Sequence, residues 1–562
     1  MHLILALRKS TDLHPPLRGE TTDMSGSMIT ERRRAGRPGR RANLVRTATR
    51  PFAVVAALLA FAVATPLGAQ PGGGRASLPA ATRAVLQSGI RRLLDSAGVP
   101  SIAVAIARDG VVLWEEGFGY ADVERRVPAT ATTLYSLASI SKPFTATAVM
   151  QLVEQGRVQL DRPVDDYLGG MRLTGLAGDR SGATVRRVLS HTAGLPLHYR
   201  FFYTGDSIVP DVPRTIERYG RVVFPPGEVY SYSNLGFGIL GELVAHVAGT
   251  SYETYMREKV FRPLGLTTTT VGTGAGLANS AVRYDSRRRA IPFYDFDHRG
   301  ASAVYSSAHE LVLFGMSHLK RRPRDASGRA TAAVLADSTI DLMQRVATPG
   351  DTVTGYGLGW GIDDALGVRR VQHTGGMPGV STVLSLYPTE GVAVVVLSNQ
   401  SSGLVGRIAA DIAAAVLPPS FGAALAARRA APPVAASFAA PPDLRGEWRG
   451  TVRTYDGTLP LVLRVDSSEV RVRLGDGAGA LWTLLNNAGY RDGVIGGRFL
   501  GTIPTAEARR VPHVISLQLQ ARNGTMRGWV AASATAETND YSLSSYAELT
   551  RTATAAGGGQ DR

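Results

Sequence analysis

Apolar and polar positions alternate with different periods along the chain. Residues 78–96 repeat their apolar side chains at helical spacing, and 102–107 and 111–114 read as strands. Between those strands Arg108-Asp109-Gly110 is a hairpin signal, because Asp-Gly tolerates the positive φ of a tight turn. A second strand pair, 381–387 and 392–397, brackets Pro388-Thr389-Glu390-Gly391, and an Ala-rich helix over 405–416 follows. The middle, from Ser139 to about Phe314, carries mostly helix and loop signals, among them the capping-box pattern Ser307-Ala308-His309-Glu310. The pattern predicts a mixed α/β (α+β) domain over 77–417. Its antiparallel sheet is built from both ends of the segment and flanked by helices, with a helical region inserted between.

Beyond this segment the pattern changes. Residues 418–443 are Ala/Pro-rich, with Pro418-Pro419, Pro432-Pro433 and Pro441-Pro442, the composition of a semi-rigid linker. Residues 444–549 alternate in short runs punctuated by Asp456-Gly457, Asp476-Gly477 and Asn523-Gly524, which predicts a small antiparallel β-barrel or sandwich. No chemistry concentrates there, so this domain is expected to be dispensable for any chemical step, and 550–562 reads as a disordered tail. At the other end, a basic stretch (Arg32 to Arg50) precedes an apolar run over 52–64 and the small-residue exit Pro66-Leu67-Gly68-Ala69. Residues 1–69 read as a secretory signal peptide, since the run is shorter than the roughly 20 residues that span a bilayer. The expected location is the periplasm or the extracellular space, with membrane contact only through an uncleaved signal.

Composition narrows the chemistry. The 562 residues are 44% hydrophobic and 19% charged, a globular balance. Zero cysteines remove disulfides, thiolate nucleophiles and cysteine metal sites. The net charge of +16 suggests a nucleic-acid partner, but residues 1–69 hold 11 basic and 4 acidic residues, leaving +9 on the rest. Those arginines are scattered and no base-reading module accompanies them, so no nucleic-acid partner is expected.

Three short motifs carry the candidate chemistry. Ser139-Ile140-Ser141-Lys142 opens a helix, and the i, i+3 spacing faces Ser139 and Lys142 together. A hydroxyl is a poor nucleophile until its proton is taken, and a lysine takes it only where burial or a neighbouring charge keeps the amine neutral. The chain has four lysines (Lys9, Lys142, Lys259, Lys320) against 58 arginines, and arginine cannot lose its proton. A lysine at this position suits deprotonation. In Tyr232-Ser233-Asn234 the phenol is suited to relaying a proton and the amide to binding a substrate amide, although the tripeptide alone better fits a turn with an Asn N-cap. In His373-Thr374-Gly375-Gly376 the glycines allow close approach of a substrate backbone, and His373 and Thr374 offer donors for a carboxylate.

In that order the three motifs resemble the serine β-lactamase-related family, which includes class C β-lactamases, D-alanyl-D-alanine carboxypeptidases and some esterases. Tyr135-Ser136-Leu137-Ala138, Leu189-Ser190-His191-Thr192-Ala193-Gly194-Leu195-Pro196 and Tyr356-Gly357-Leu358-Gly359-Trp360 add to the likeness. The resemblance implies that Ser139 is acylated, that Lys142 activates it, and that Tyr232 shares the proton traffic. Asn234, His373, Thr374, Gly375 and Gly376 would then bind substrate, with the N–H groups of Ser139 and Gly376 as oxyanion hole. The expected substrate is a D-amino-acid peptide, a β-lactam or a small ester, and no cofactor or metal is implied. His373 replaces the lysine usual in class C β-lactamases, which points away from efficient antibiotic hydrolysis. His191 belongs to a structural turn in the family, so a packed histidine rather than a triad member is expected.

Overall fold

The computed structural model describes residues 77–552, apart from 204–207, 324–329, 351–352, 365, 432–437, 478, 511 and 536–540. The proposed signal segment, 1–69, lies outside the described residues. Helix α1 (Ala80–Ala97) leads into β1 (Ser101–Arg108) and β2 (Val111–Asp122), joined through Asp109 and Gly110 at φ 49° and 86°. The chain then leaves the sheet through helix α2 (Ser141–Glu154), strand β3 (Tyr199–Tyr203), helix α3 (Asn234–Ala248), strand β4 (Tyr294–Phe296), the short helix α4 (Arg299–Ser302) and helix α5 (Ala308–His318). It returns as β5 (Arg370–Met377), β6 (Val380–Tyr387), β7 (Val392–Ser398) and helix α6 (Leu404–Val416). All pairings in this sheet are antiparallel, and β7 pairs with β1, so the two ends of the domain meet at its centre as the strand pattern predicts.

Period-2 alternation decides what each face of the sheet buries. On β1, Ile102, Val104 and Ile106 face α1 and α6 together with Leu86, Ile90, Ile408 and Ile412. The alternate Ala103, Ala105 and Ala107 face the helical region, where α2 and α5 come close and Phe144 stacks on Phe314 at 3.7 Å. Small residues on that face leave room for α5, which packs against β1. The capping box is half formed. Ser307 accepts from Glu310 N at 3.1 Å, but the Glu310 carboxylate turns to the N–H groups of Thr268 and Thr269.

In the stretch read as a linker, Pro419–Ala430 is a helix, α7, which starts on a proline at its first position and packs Phe421 against Tyr387. Beyond it come β8 (Gly446–Arg453), β9 (Thr458–Val465), β10 (Val470–Leu474), β11 (Thr483–Leu484), β12 (Asn486–Arg491), β13 (Val494–Phe499), β14 (His513–Arg522), β15 (Thr525–Ala534) and β16 (Tyr541–Arg551). They form a nearly closed antiparallel barrel in the order β11-β10-β9-β8-β16-β15-β14-β13-β12. The last strand takes in Thr550 and Arg551, which corrects the start expected for the tail; residues 553–562 lie outside the described residues.

The barrel also joins the first domain. β16 pairs with β3 (Tyr541 opposite Arg200, Ser542 opposite Tyr199), and β3 pairs with β4. Val223 and Phe224 of the first domain share a buried apolar cluster with Trp529, Ala531 and Tyr546 of the barrel. Arg218 donates to Glu507 at 2.7 Å across the same boundary. Among the described residues, no helix is long and apolar enough to cross a membrane.

Candidate active site

The chain enters the site under strain. Ala138 holds φ at 47°, a left-handed conformation that costs a residue with a side chain about 1–3 kcal/mol. It opens a 3-10 turn, Ala138–Ile140, so Ser139 stands just before α2 rather than inside it. Three contacts hold the turn. Ser141 Oγ donates to Ala138 O at 2.7 Å, and Val304 N donates to Ser141 Oγ at 2.9 Å. Thr382 Oγ1 donates to Leu137 O at 2.9 Å. Strand β5 lies so close that a Cβ on Gly375 would overlap Leu137 O and Thr382 Oγ1. Ser139 keeps 8% exposure, enough to be reached.

Lys142 has no exposure. Its Nζ lies 3.1 Å from Ser139 Oγ, 2.7 Å from Asn234 Oδ1 and 3.2 Å from Ala301 O, and 4.7 Å from the centre of the Tyr232 ring. No carboxylate is among these contacts, and burial holds the amine's pKa well below the usual lysine range. A neutral amine has two N–H groups and one lone pair. Asn234 Oδ1 and Ala301 O can only accept, so they take both N–H groups. With the amine neutral, this arrangement leaves the lone pair to the Ser139 hydroxyl, whereas the ammonium form donates to Ser139 Oγ instead.

Tyr232 hydrogen-bonds Ser139, and burial raises its pKa far above the normal phenol value, so the phenol keeps its proton. Ser233, not Asn234, caps α3: its Oγ accepts from Gly236 N at 2.9 Å, and Asn234 is the first helical residue. Ser233 N donates to His191 Nδ1 at 3.1 Å. His191 therefore carries its proton on Nε2, and its ring packs among Tyr232, Tyr356 and Phe237 with centroids 4.3, 4.7 and 5.2 Å away. It supports the Tyr232–Asn234 segment and makes no triad with Ser139.

The third motif is arranged differently from the sequence expectation. His373 is buried, its Nδ1–H donates to Thr374 O at 2.7 Å, and its Nε2 accepts from Tyr356 OH at 2.9 Å. Burial pushes its pKa down to about 3. A neutral ring with both nitrogens engaged has no donor to spare for a substrate carboxylate. Thr374, on the opposite face of β5, is exposed and keeps its hydroxyl available; Gly376 lies on that same face.

Ser139, Lys142, Tyr232 and Asn234 thus meet directly. Gly375 seats the turn, and His373 is joined to them through Tyr356 and then His191, whose ring packs on Tyr232. Sequence reasoning missed the Ala301 carbonyl, a backbone atom with no residue signature. It also missed the apolar cluster of Phe201, Tyr294, Phe296 and Met377, which gathers with Ala138 from three separate segments.

Residues 86–417 match the Beta-lactamase family. Penicillin-binding protein 4 of Amycolatopsis lactamdurans is 30% identical over 320 residues, 54% of this chain and 81% of the relative. Unguisins hydrolase ungD' of Aspergillus campestris (strain IBT 28561) is 29% identical over 332 residues, 55% of this chain and 60% of the relative, so the match spans about three fifths of that protein's length. The solved structure of SurE with D-Leu is similar in fold, with a TM-score of 0.54 at 21% identity, over 83% of this chain and 100% of that one. Such coverage extends the likeness past residue 417 and into the barrel. With the family matched over more than half of its length, the chain belongs to the Beta-lactamase family, a family of serine hydrolases.

Proposed function

We propose that the protein is an exported hydrolase that cleaves its substrate through an acyl-enzyme on Ser139. One observation carries this reading. Lys142 is buried with two acceptors for its N–H groups, so the lone pair faces the Ser139 hydroxyl at 3.1 Å. As Ser139 Oγ bonds to the substrate carbonyl carbon, its proton passes to Lys142 Nζ. The carbonyl oxygen gains negative charge beside the N–H groups of Ser139 and Gly376. Collapse of that intermediate breaks the bond to the leaving group, which takes a proton through Tyr232 from Lys142. Water then attacks the acyl-enzyme by the same route in reverse, giving the acid and free Ser139. Residues 1–69 support export.

The substrate is proposed as a D-amino-acid peptide, a β-lactam or a small ester. The names of the relatives, a penicillin-binding protein and an unguisins hydrolase, support recognition of a β-lactam-like group and hydrolysis. The neutral His373 argues for slow turnover of β-lactams, because its ring offers no charge to hold their carboxylate. Incubation with a fluorophosphonate and with a fluorescent penicillin, followed by intact-mass measurement, tests the reading. A one-to-one adduct in the wild type and none in Ser139→Ala is expected. A stable penicillin adduct without turnover of any ester or peptide would instead mark a non-catalytic penicillin-recognising protein. No adduct with either probe, or an adduct in Ser139→Ala, overturns the acyl-enzyme.

A further inference from the structure

Asp297 is a buried carboxylate that no step above uses. It is 3% exposed and accepts two hydrogen bonds, from His198 Nε2 at 2.8 Å and from His298 Nδ1 at 2.6 Å, and both rings are buried with it. A buried anion is stable only when donors of this kind replace its water.

Each histidine stands at the base of a different side of the site. His198 ends the loop on which the Tyr232–Asn234 segment rests: Ser231 Oγ donates to Leu195 O at 3.2 Å, Ser233 Oγ to Pro196 O at 2.7 Å and Asn234 N to Leu197 O at 3.0 Å. His298 immediately precedes α4, and its carbonyl accepts from Ala301 N at 2.9 Å. That helix presents Ala301 O to Lys142 and Gly300 O to Thr145. The two acceptors that take the N–H groups of Lys142, Asn234 Oδ1 and Ala301 O, therefore sit on two segments tied together by one carboxylate.

The geometry points to Asp297, bridged by His198 and His298, as a positioning residue that sets the spacing of the two acceptors of Lys142 and so aims its lone pair at Ser139. This rests on the reading of Lys142 as the base. Loosening either acceptor has two effects. The lone pair swings away from the hydroxyl, and the ammonium loses partners it needs more than the neutral amine does, so the pKa of Lys142 falls further. The titratable groups facing Lys142 are Tyr232, His191, His373 and His298. Those facing Asp297 are His198, His298 and Tyr219, whose ring stacks on His198 at 4.1 Å. Burial drives His191, His373 and His298 toward their neutral forms.

The test is the pH profile of fluorophosphonate labelling in the full chain, for wild type, Asp297→Asn, His298→Ala and His298→Asn. An amide in place of Asp297 offers one acceptor oxygen instead of two, and alanine at 298 deletes one donor. Both are expected to slow labelling on the order of tenfold to a hundredfold, the scale of a misplaced catalytic group, and to move the acid limb to lower pH. His298→Asn, whose amide N–H can stand where Nδ1–H stands, is expected to recover most of the rate lost in His298→Ala. A lower labelled fraction with the acid limb unmoved would show a merely structural role and overturn the inference. So would His298→Asn labelling as slowly as His298→Ala, a comparison that holds even if Asp297→Asn fails to fold. A wild type that labels with no acid limb would instead remove Lys142 as the base, and the inference with it.

Discussion

At the scale of single residues, the candidate site centres on one amine whose pKa burial holds well below the usual lysine range. Lys142→Arg keeps the cation and removes the ability to accept a proton, so the protein is expected to fold but to be acylated more slowly by about 10² or more, the usual worth of a general base. Stopped-flow labelling checks this, and a wild-type rate would remove Lys142 from the mechanism. The same burial has a thermodynamic cost. Lys142 is neutral in the folded chain and protonated in the unfolded one between its depressed value and about 10.4. In that window the unfolded state binds one more proton, so this residue's contribution to stability rises with pH, by about 1.4 kcal/mol per unit. Denaturant unfolding of wild type and Lys142→Met from pH 7 to 10 should show the wild type gaining on the variant as pH rises. Parallel curves would mean that Lys142 is charged in the folded protein.

At the scale of elements, the 3-10 turn before α2 keeps its left-handed Ala138 because β5 presses on it. Gly375→Ala places a methyl against Leu137 O and Thr382 Oγ1, so either the turn or the strand must shift. The expected outcome is a loss of about 1–3 kcal/mol, as for overpacked cores, together with slower acylation. Thermal melting and labelling rate are read on the same sample. Unchanged labelling in a folded variant would show that this strand does not set the position of Ser139. Helix α3 shows the same division of labour: Ser233 takes the cap, which frees the Asn234 side chain for Lys142.

At the scale of the whole molecule, the barrel is bound into the first domain. Strand β3 lies between β16 and β4, and Phe201 and Phe296 of that pair help to enclose Ala138 beside the nucleophile. Cutting the chain near Pro418 uncovers the β3 edge along with the buried Val223 and Phe224. A truncated chain is therefore expected to aggregate or melt at lower temperature, and to label poorly, contrary to the dispensability its lack of catalytic motifs suggests. Size-exclusion chromatography with penicillin labelling decides this. A monomeric truncated protein labelling at the wild-type rate would restore the independent second domain.

How much was legible in the sequence follows from which interactions are local. Period-2 and period-3.6 patterns placed β1, β6, β7, α1 and α6 to within a few residues, because alternation is imposed by the pleat and the helical turn whatever lies opposite. The Asp109-Gly110 turn and the pairing of Ser139 with Lys142 were readable for the same reason, being set by spacing along one segment. The helix in the Ala/Pro-rich stretch was not, since composition alone does not show that Phe421 has Tyr387 to pack against. Nor was the engagement of His373 by Tyr356, 17 residues earlier, or the Ala301 carbonyl, 159 residues from Lys142. The chain by itself determined which candidate residues stand close along one segment, as Ser139 and Lys142 do. Only the tertiary structure decided their protonation states, because burial and the choice of hydrogen-bond partner arise when distant segments close over one amine.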